Sequence, residues 1–99
     1  MYIVSLTYTA SLDRIDDVLP AHRAYLDAQF AAGHFVAAGP KVPRDGGVIV
    51  VSNMERERLD AILAADPFVQ QGVAVHTVTE FKATRLATGL NLLRPEAAV

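Results

Sequence analysis

The chain has 99 residues, of which nine are Lys or Arg and eleven are Asp or Glu, giving a formal net charge of −2. This length supports one domain with a single core, and the near-balanced charge without a basic run excludes the electrostatic footprint of a nucleic-acid-binding protein. The absence of cysteine excludes disulfides, cysteine-ligated zinc and thiol nucleophiles, while the hydrophobic fraction of 52% excludes whole-chain disorder and suggests that another subunit covers part of the surface.

The first element is predicted to be a β-strand. Residues 2–9 (YIVSLTYT) alternate with a period of two and are rich in β-branched and aromatic side chains. The segment lacks the basic and apolar regions of a signal peptide, and the longest apolar runs are far shorter than the roughly 20 residues that span a bilayer. We therefore expect a cytoplasmic protein with no membrane partner.

The second element is a helix that we predict to begin at Pro20, after a loop with a short helical turn at residues 10–18. Proline suits the first position of a helix because its missing N–H has no helical partner there. The helix should end near Ala32, and Gly33 is a suitable residue to stop it. Arg23 and Asp27 are predicted to be solvated. The spacing of three and four residues predicts an inward face made of His22, Tyr25, Leu26, Gln29 and Phe30.

Two strands, a helix and a last strand complete the predicted order. Residues 34–40 and 47–52 are the strands, separated by a loop with an Asp–Gly turn signal. Ser52 and Glu55 fit a capping box that would start the second helix, which runs to about Ala65 and stops at the sequence DPF because a residue before proline disfavours the helical region. Residues 72–82 are predicted to be the fourth strand.

The order βαββαβ predicts an α+β fold of the ferredoxin-like type, with a four-stranded antiparallel sheet and both helices on one face. The third strand is apolar on both faces, which an exposed sheet face would not favour. We therefore expect a homodimer or higher homo-oligomer packed sheet to sheet. Residues 1–82 would form the domain, and residues 83–99 a tail that packs at a subunit interface through Leu86, Leu90 and Leu93.

His22 is the first residue that suggests chemistry. One interpretation is a histidine at the edge of the core, satisfied by a backbone carbonyl or a water. The other uses its predicted place in the first turn of a helix, where the positive end of the dipole keeps imidazole neutral and able to act as a general base. A nearby carboxylate would offset this effect, orient the ring and fix its tautomer.

Asp66 is the candidate carboxylate. It continues the apolar face of the second helix formed by Leu59, Ile62 and Leu63, and it would lie at the negative end of that helix's dipole. A residue that breaks two local preferences is more common at functional sites. The alternative is that Asp66 simply starts an Asp–Pro turn. Both interpretations stay open on the sequence alone.

Other reactive side chains give no recognisable motif. His34 and His76 are predicted in strands, and no two histidines have metal-ligand spacing, so we expect no bound metal. The serines lack a nucleophile motif, and the glycines do not form a phosphate-binding loop. Lys41 and Arg44 are either solvated loop charges or residues that attract an anionic substrate.

Two segments resemble the YciI-like (YCII-related) proteins. One is HRAYLDAQFAAGHFVAAGP at residues 22–40, and the other is ADPFVQQGV at residues 65–73, which matches that family's D-P-[FY]-x-x-x-G-[LV] signature. With the first strand, the resemblance covers residues 1–82. Many relatives carry an arginine one turn before the histidine, where this chain has Leu19.

The resemblance implies a dimeric α/β barrel of ferredoxin-like subunits whose histidine–aspartate pair falls on His22 and Asp66. One branch of the family performs dehydrochlorination of a chlorinated hydroxyquinol. The leading hypothesis is a small cofactor-independent enzyme, a lyase, dehydrohalogenase or isomerase, that moves a proton on a small metabolite such as an aromatic-derived one. The alternative is a non-catalytic module that binds a small ligand or a partner. The residues predicted to bind the substrate are Tyr8, Tyr25, Gly39, Pro40 and Phe68.

Overall fold

A computed structural model describes residues 1–90 and confirms the predicted α+β order with one additional short helix. The elements in chain order are β1 (Tyr2–Tyr8), α1 (Leu12–Ala31), β2 (Phe35–Pro40), β3 (Gly46–Val51), α2 (Arg56–Ala64), α3 (Pro67–Gln70) and β4 (Ala74–Glu80).

The four strands form one antiparallel sheet in the order β2-β3-β1-β4. Alternate residues of β1 (Tyr2, Val4 and Leu6) are buried, which confirms the period of two seen in the sequence. Their cross-strand neighbours Ile49 and Val51 are buried with them. The helices cover this face through a set of buried side chains that includes Ile15, Val18, Leu59, Leu63 and Phe68.

Helix α1 is longer than predicted and begins at Leu12, eight residues before Pro20. The Ser11 side chain caps it by accepting a hydrogen bond from the Arg14 N–H at 3.3 Å. Pro20 therefore lies inside the helix, where its ring leaves the carbonyl of Asp16 without its helical N–H donor. The expectation that His22 lies in the first turn is wrong, so the dipole of a helix N-terminus does not act on it.

The segment around Ser52 and Asp66 also differs from prediction. The Ser52 hydroxyl donates to the carbonyls of Gly33 and His34 at 2.9 and 3.0 Å, and α2 starts only after Glu55, which caps it without a side-chain hydrogen bond. Asp66 is not the end of α2 but the N-cap of α3, where its carboxylate accepts from the Phe68 N–H at 2.9 Å. The predicted dipole penalty on Asp66 is therefore absent, because a carboxylate is favourable at a helix N-terminus.

The positions of His34, of His76 and of the tail were also predicted from the sequence. His34 precedes β2 instead of lying in it, while His76 lies in β4. In the tail, residues 83–90 form no helix or strand, Ala83 is buried and Leu86 is half-buried. Leu93 lies outside the described residues. The packing of the tail at a subunit interface stays a prediction.

The sheet face away from the helices carries small and β-branched side chains. The register puts Ile3, Ser5 and Thr7 of β1 on this face, beside Val48 and Val50 of β3. We call these five residues, together with Val75, Thr77 and Thr79 of β4, the outer sheet face. It carries no charged side chain, and Val75 is 57% exposed. Over residues 1–90, no helix has the length and apolar character needed to cross a membrane.

Candidate active site

A cavity of about 400 Å³ lies between α1 and the neighbouring edge of the sheet. This volume falls in the range of small-molecule sites, roughly 300–1,000 Å³. Its wall combines apolar side chains with a histidine and two arginines. The lining residues are Leu6, Tyr8, Asp16, Leu19, His22, Arg23, Leu26, Ala38, Gly39, Pro40, Arg44, Gly47, Val48, Ile49 and Phe68.

His22 and Asp66 are in direct contact at this cavity. His22 Nδ1 lies 2.8 Å from Asp66 Oδ1, across 44 residues of sequence. Because a carboxylate oxygen only accepts, Nδ1 carries the hydrogen and donates it. The two residues are 8% and 1% exposed, so the pair is buried and does not lie at an exposed rim of the cavity. The contact joins the middle of α1 to the start of α3.

The second ring nitrogen of His22 is available to a ligand. Among residues 1–90, no group forms a hydrogen bond with Nε2. Since His22 lines the cavity and its side chain keeps 11% of its surface accessible, Nε2 is the ring atom that can meet a bound molecule. In this tautomer Nε2 is unprotonated and accepts a proton.

Phe68 holds both members of the pair. Its ring stacks on the His22 imidazole with centroids 3.9 Å apart and planes within 8°. Its backbone N–H donates to the Asp66 oxygen that also accepts from His22. Tyr8 meets the edge of Phe68 at 5.9 Å between centroids. Ring stacking and hydrogen bonding therefore restrict the orientation of the imidazole from two directions.

Comparison with known proteins identifies the family of this chain. The family model described as the YCII-related domain matches residues 1–82. The chain belongs to the YCII-related family. A comparison with curated proteins gives no match.

The fold of this YCII-related chain is also found in a solved structure. It is similar to 5-chloro-2-hydroxyhydroquinone dehydrochlorinase from Burkholderia phenoliruptrix AC1100, solved as a complex with 2,5-dihydroxybenzoquinone. The TM-score is 0.69 at 20% sequence identity, and the match covers 83% of this chain and 94% of that one. At this identity the likeness establishes the shared fold.

Four of the five residues predicted to bind substrate lie on the cavity wall, namely Tyr8, Gly39, Pro40 and Phe68. Tyr25 does not line it. The Tyr25 hydroxyl donates to the carbonyl of Ile62 at 2.8 Å, and its ring meets the edge of Phe35. In this position Tyr25 ties α1 to α2 behind the histidine.

Sequence reasoning missed Arg23, which it placed on the solvated side of the helix. Arg23 is exposed but lines the cavity, since it lies four residues after Leu19 and three before Leu26. It also left Arg44 ambiguous. Arg44 lines the cavity while its guanidinium contacts the Asp16 carboxylate at 2.7 Å. The helical spacing of Leu19, Arg23 and Leu26 is the feature of the sequence from which the position of Arg23 on the cavity wall could have been predicted.

The other histidines take no part in this cavity. His34 Nδ1 lies 2.7 Å from the Gln29 side-chain oxygen, and its Nε2 accepts from Arg58 at 3.0 Å. In the part of the chain that the structure describes, no group of three His, Asp or Glu side chains is placed to hold a metal ion.

Tyr25 provides a test of the packing behind the site. Burial raises the pKa of Tyr25 well above its usual value, and the nearby charge of Asp66 adds to the effect. A pKa raised on folding gives stability that is complete below about pH 10 and is lost as the pH rises further. We expect Tyr25→Phe to remove this part of the alkaline loss and to cost about 1 kcal/mol at pH 7 through the lost hydrogen bond.

Denaturation in urea at pH 7 and at increasing alkaline pH measures both effects. Tyr8→Phe is the matched control, because Tyr8 is also half-buried but its hydroxyl interacts with the Arg44 guanidinium instead of a carbonyl of α2. Equal alkaline losses in wild type and Tyr25→Phe would contradict the buried position of the Tyr25 hydroxyl.

Proposed function

We propose that this chain is a small enzyme that transfers a proton with His22 as general base or acid and Asp66 as the residue that positions it. The observation that carries the proposal is the 2.8 Å contact between His22 Nδ1 and Asp66 Oδ1 at the wall of a mainly apolar cavity. Asp66 fixes the tautomer, and it stabilises the imidazolium that forms when Nε2 takes a proton.

The proposed reaction type is an elimination or an isomerisation. In the elimination of hydrogen chloride, His22 Nε2 accepts the substrate proton, the freed electron pair forms a new double bond, and chloride leaves with the electrons of the carbon–chlorine bond. In an isomerisation, the same nitrogen would return the proton to another atom. His22 and Asp66 suffice for the proton movement in either case. The dehydrochlorinase of similar fold supports elimination as the first reaction to test.

The apolar wall supports this role. Leu19 and Leu26 of α1 face Ala38 and Ile49 of the sheet across the cavity. Such a wall excludes water from the reacting atoms and strengthens the interaction of the imidazolium with Asp66. The same lining favours a small ligand with an apolar, ring-like body.

The experiment is a turnover screen that starts with 5-chloro-2-hydroxyhydroquinone and extends to related halogenated and isomerisable small ring compounds. Chloride release and ultraviolet absorbance measure product formation, with the His22→Ala variant as the blank. We expect at least one compound to be converted by wild type and not by the variant. Binding without turnover across the screen would instead favour a non-catalytic ligand-binding module.

We also propose that two copies pack through the outer sheet face. This face is uncharged and carries Ile3, Val48 and Val50 at its centre, where an unpartnered surface would favour association. Sheet faces packed about 10 Å apart form a core of interlocking side chains.

A single charge at the centre of the outer sheet face should separate the copies. We expect wild type to sediment at twice its monomer mass of 10.7 kDa, and Val50→Lys to sediment as a monomer. Ala61→Lys, on the exposed side of α2, is the matched control and should remain dimeric. A wild-type monomer at micromolar concentration, or a dimeric Val50→Lys, would contradict the proposal.

A further inference from the structure

The cavity has a cationic group with no partner among residues 1–90. Arg44 and Asp16 neutralise each other at 2.7 Å, and both line the wall. Arg23 also lines the wall, yet it makes no hydrogen bond or ion pair with any residue from 1 to 90. A guanidinium offers five N–H donors and stays charged at every physiological pH. The wall therefore presents one positive charge whose donors are free.

The position of Arg23 relates this charge to the proposed reacting atoms. Arg23 directly follows His22, so their Cα atoms are about 3.8 Å apart, and both side chains reach the same cavity. Leu19 and Leu26 flank Arg23 at helical spacing and carry no polar group. A ligand with a charged end at Arg23 would place an apolar body against these leucines and within reach of the imidazole.

The number of free charges selects the kind of anion. Arg44 is already paired with Asp16, and the loop at residues 41–45 leads into β3, so no helix follows it to cradle a phosphate. One unpaired arginine matches a monoanion, and the guanidinium fork fits the two oxygens of a carboxylate. A phosphate ester would carry more charge than this wall neutralises.

We propose that the cavity binds a small organic acid whose carboxylate pairs with Arg23 while its apolar body lies between α1 and the sheet. The proposal rests on the proposed function for the identity of the site, but it concerns binding and needs no proton transfer. Arg23 is thereby a specificity-determining residue.

The test is a titration of the full-length ¹⁵N-labelled protein with benzoate and phenylacetate, each compared with its uncharged amide. We expect both acids to shift the backbone N–H signals of Leu19, Arg23, Gly39 and Gly47. The uncharged ligands, benzamide and phenylacetamide, should bind at least about tenfold more weakly than the acids. Arg23→Gln should remove this difference. Arg14→Gln, on the same helix but away from the cavity wall, should leave it unchanged.

Several results would overturn the proposal. These are equal binding of acid and amide, equal effects of Arg23→Gln and Arg14→Gln, tighter binding of inorganic phosphate than of benzoate, or no shift with either acid. His22→Ala separates this proposal from the proposed function. It should still bind benzoate with preference over benzamide, even though it cannot transfer a proton. Acid preference without any turnover by wild type would support the anion site and contradict the enzyme.

Discussion

His22→Ala is expected to lower turnover by about 10²-fold or more on any compound that wild type converts. The substitution removes Nε2, an unpaired base on the cavity wall whose imidazole ring is oriented by a carboxylate. Asp66→Asn should lower turnover less than His22→Ala does. Its amide oxygen can still accept from Nδ1–H and from the Phe68 N–H, but it lacks the charge that stabilises the imidazolium.

Stability measurements separate this chemical effect from unfolding. His22 is buried and stacked on Phe68. His22→Ala should therefore lower the free energy of unfolding by about 1–3 kcal/mol, because the stacking is lost and the buried Asp66 carboxylate loses a hydrogen-bond donor. Asp66→Asn keeps both hydrogen bonds and should cost less. His76→Ala, a half-buried histidine of β4 away from the cavity wall, is the control for removing an imidazole. Full turnover in a folded His22→Ala protein would contradict the role of the pair.

Gly46→Ala is expected to cause the largest loss of stability. A Cβ atom at Gly46 would overlap the carbonyl oxygen of Leu6 and lie 2.9 Å from its carbonyl carbon and 3.2 Å from the Thr7 Cα. These neighbours are backbone atoms of β1, so no side chain can move aside and the two central strands must separate. Overpacking of this kind costs about 3 kcal/mol or more.

Urea denaturation of the variants measures this effect. Gly39→Ala is the matched control, because a Cβ atom there meets nothing within 4 Å and the expected change is below about 0.5 kcal/mol. Losses of equal size in the two variants would show that glycine itself, and not the close approach of β1 and β3, sets the stability. Since Leu6 and Gly47 line the cavity, Gly46→Ala should also weaken ligand binding.

The strands could be predicted because their signal is local. The alternation in β1, and the apolar residues on both faces of β3, follow from a sheet with one buried face and one outer face. The order βαββαβ is then compatible with only a few sheet topologies. The start of α1 could not be found in the same way. Pro20 is a good first residue and a poor interior one, whereas Ser11 is a good cap, and tertiary packing of Ile15 and Val18 selects the longer helix.

The site was predictable in part, for a different reason from the one the sequence suggested. The sequence indicates that Asp66 is a carboxylate in an unfavourable position at the end of a helix. In the structure Asp66 is a favourable N-cap, and its carboxylate also accepts a hydrogen bond from His22. The contact joins residues 44 positions apart, and helical periodicity contains no information on such a distance. Arg23 was missed because an exposed arginine has the same local pattern whether it meets bulk water or the open side of a cavity.

In the proposed site, Asp66 holds His22 with the hydrogen on Nδ1 and leaves Nε2 free to accept a proton. A long-range ¹H–¹⁵N spectrum of the ¹⁵N-histidine-labelled protein reports which ring nitrogen of each histidine carries hydrogen, and His34→Gln and His76→Gln variants identify the signals of His22. We expect neutral His22 to carry its hydrogen on Nδ1, and we expect Asp66→Ala to remove this preference. A neutral His22 protonated on Nε2, or a tautomer unaffected by the loss of Asp66, would contradict it.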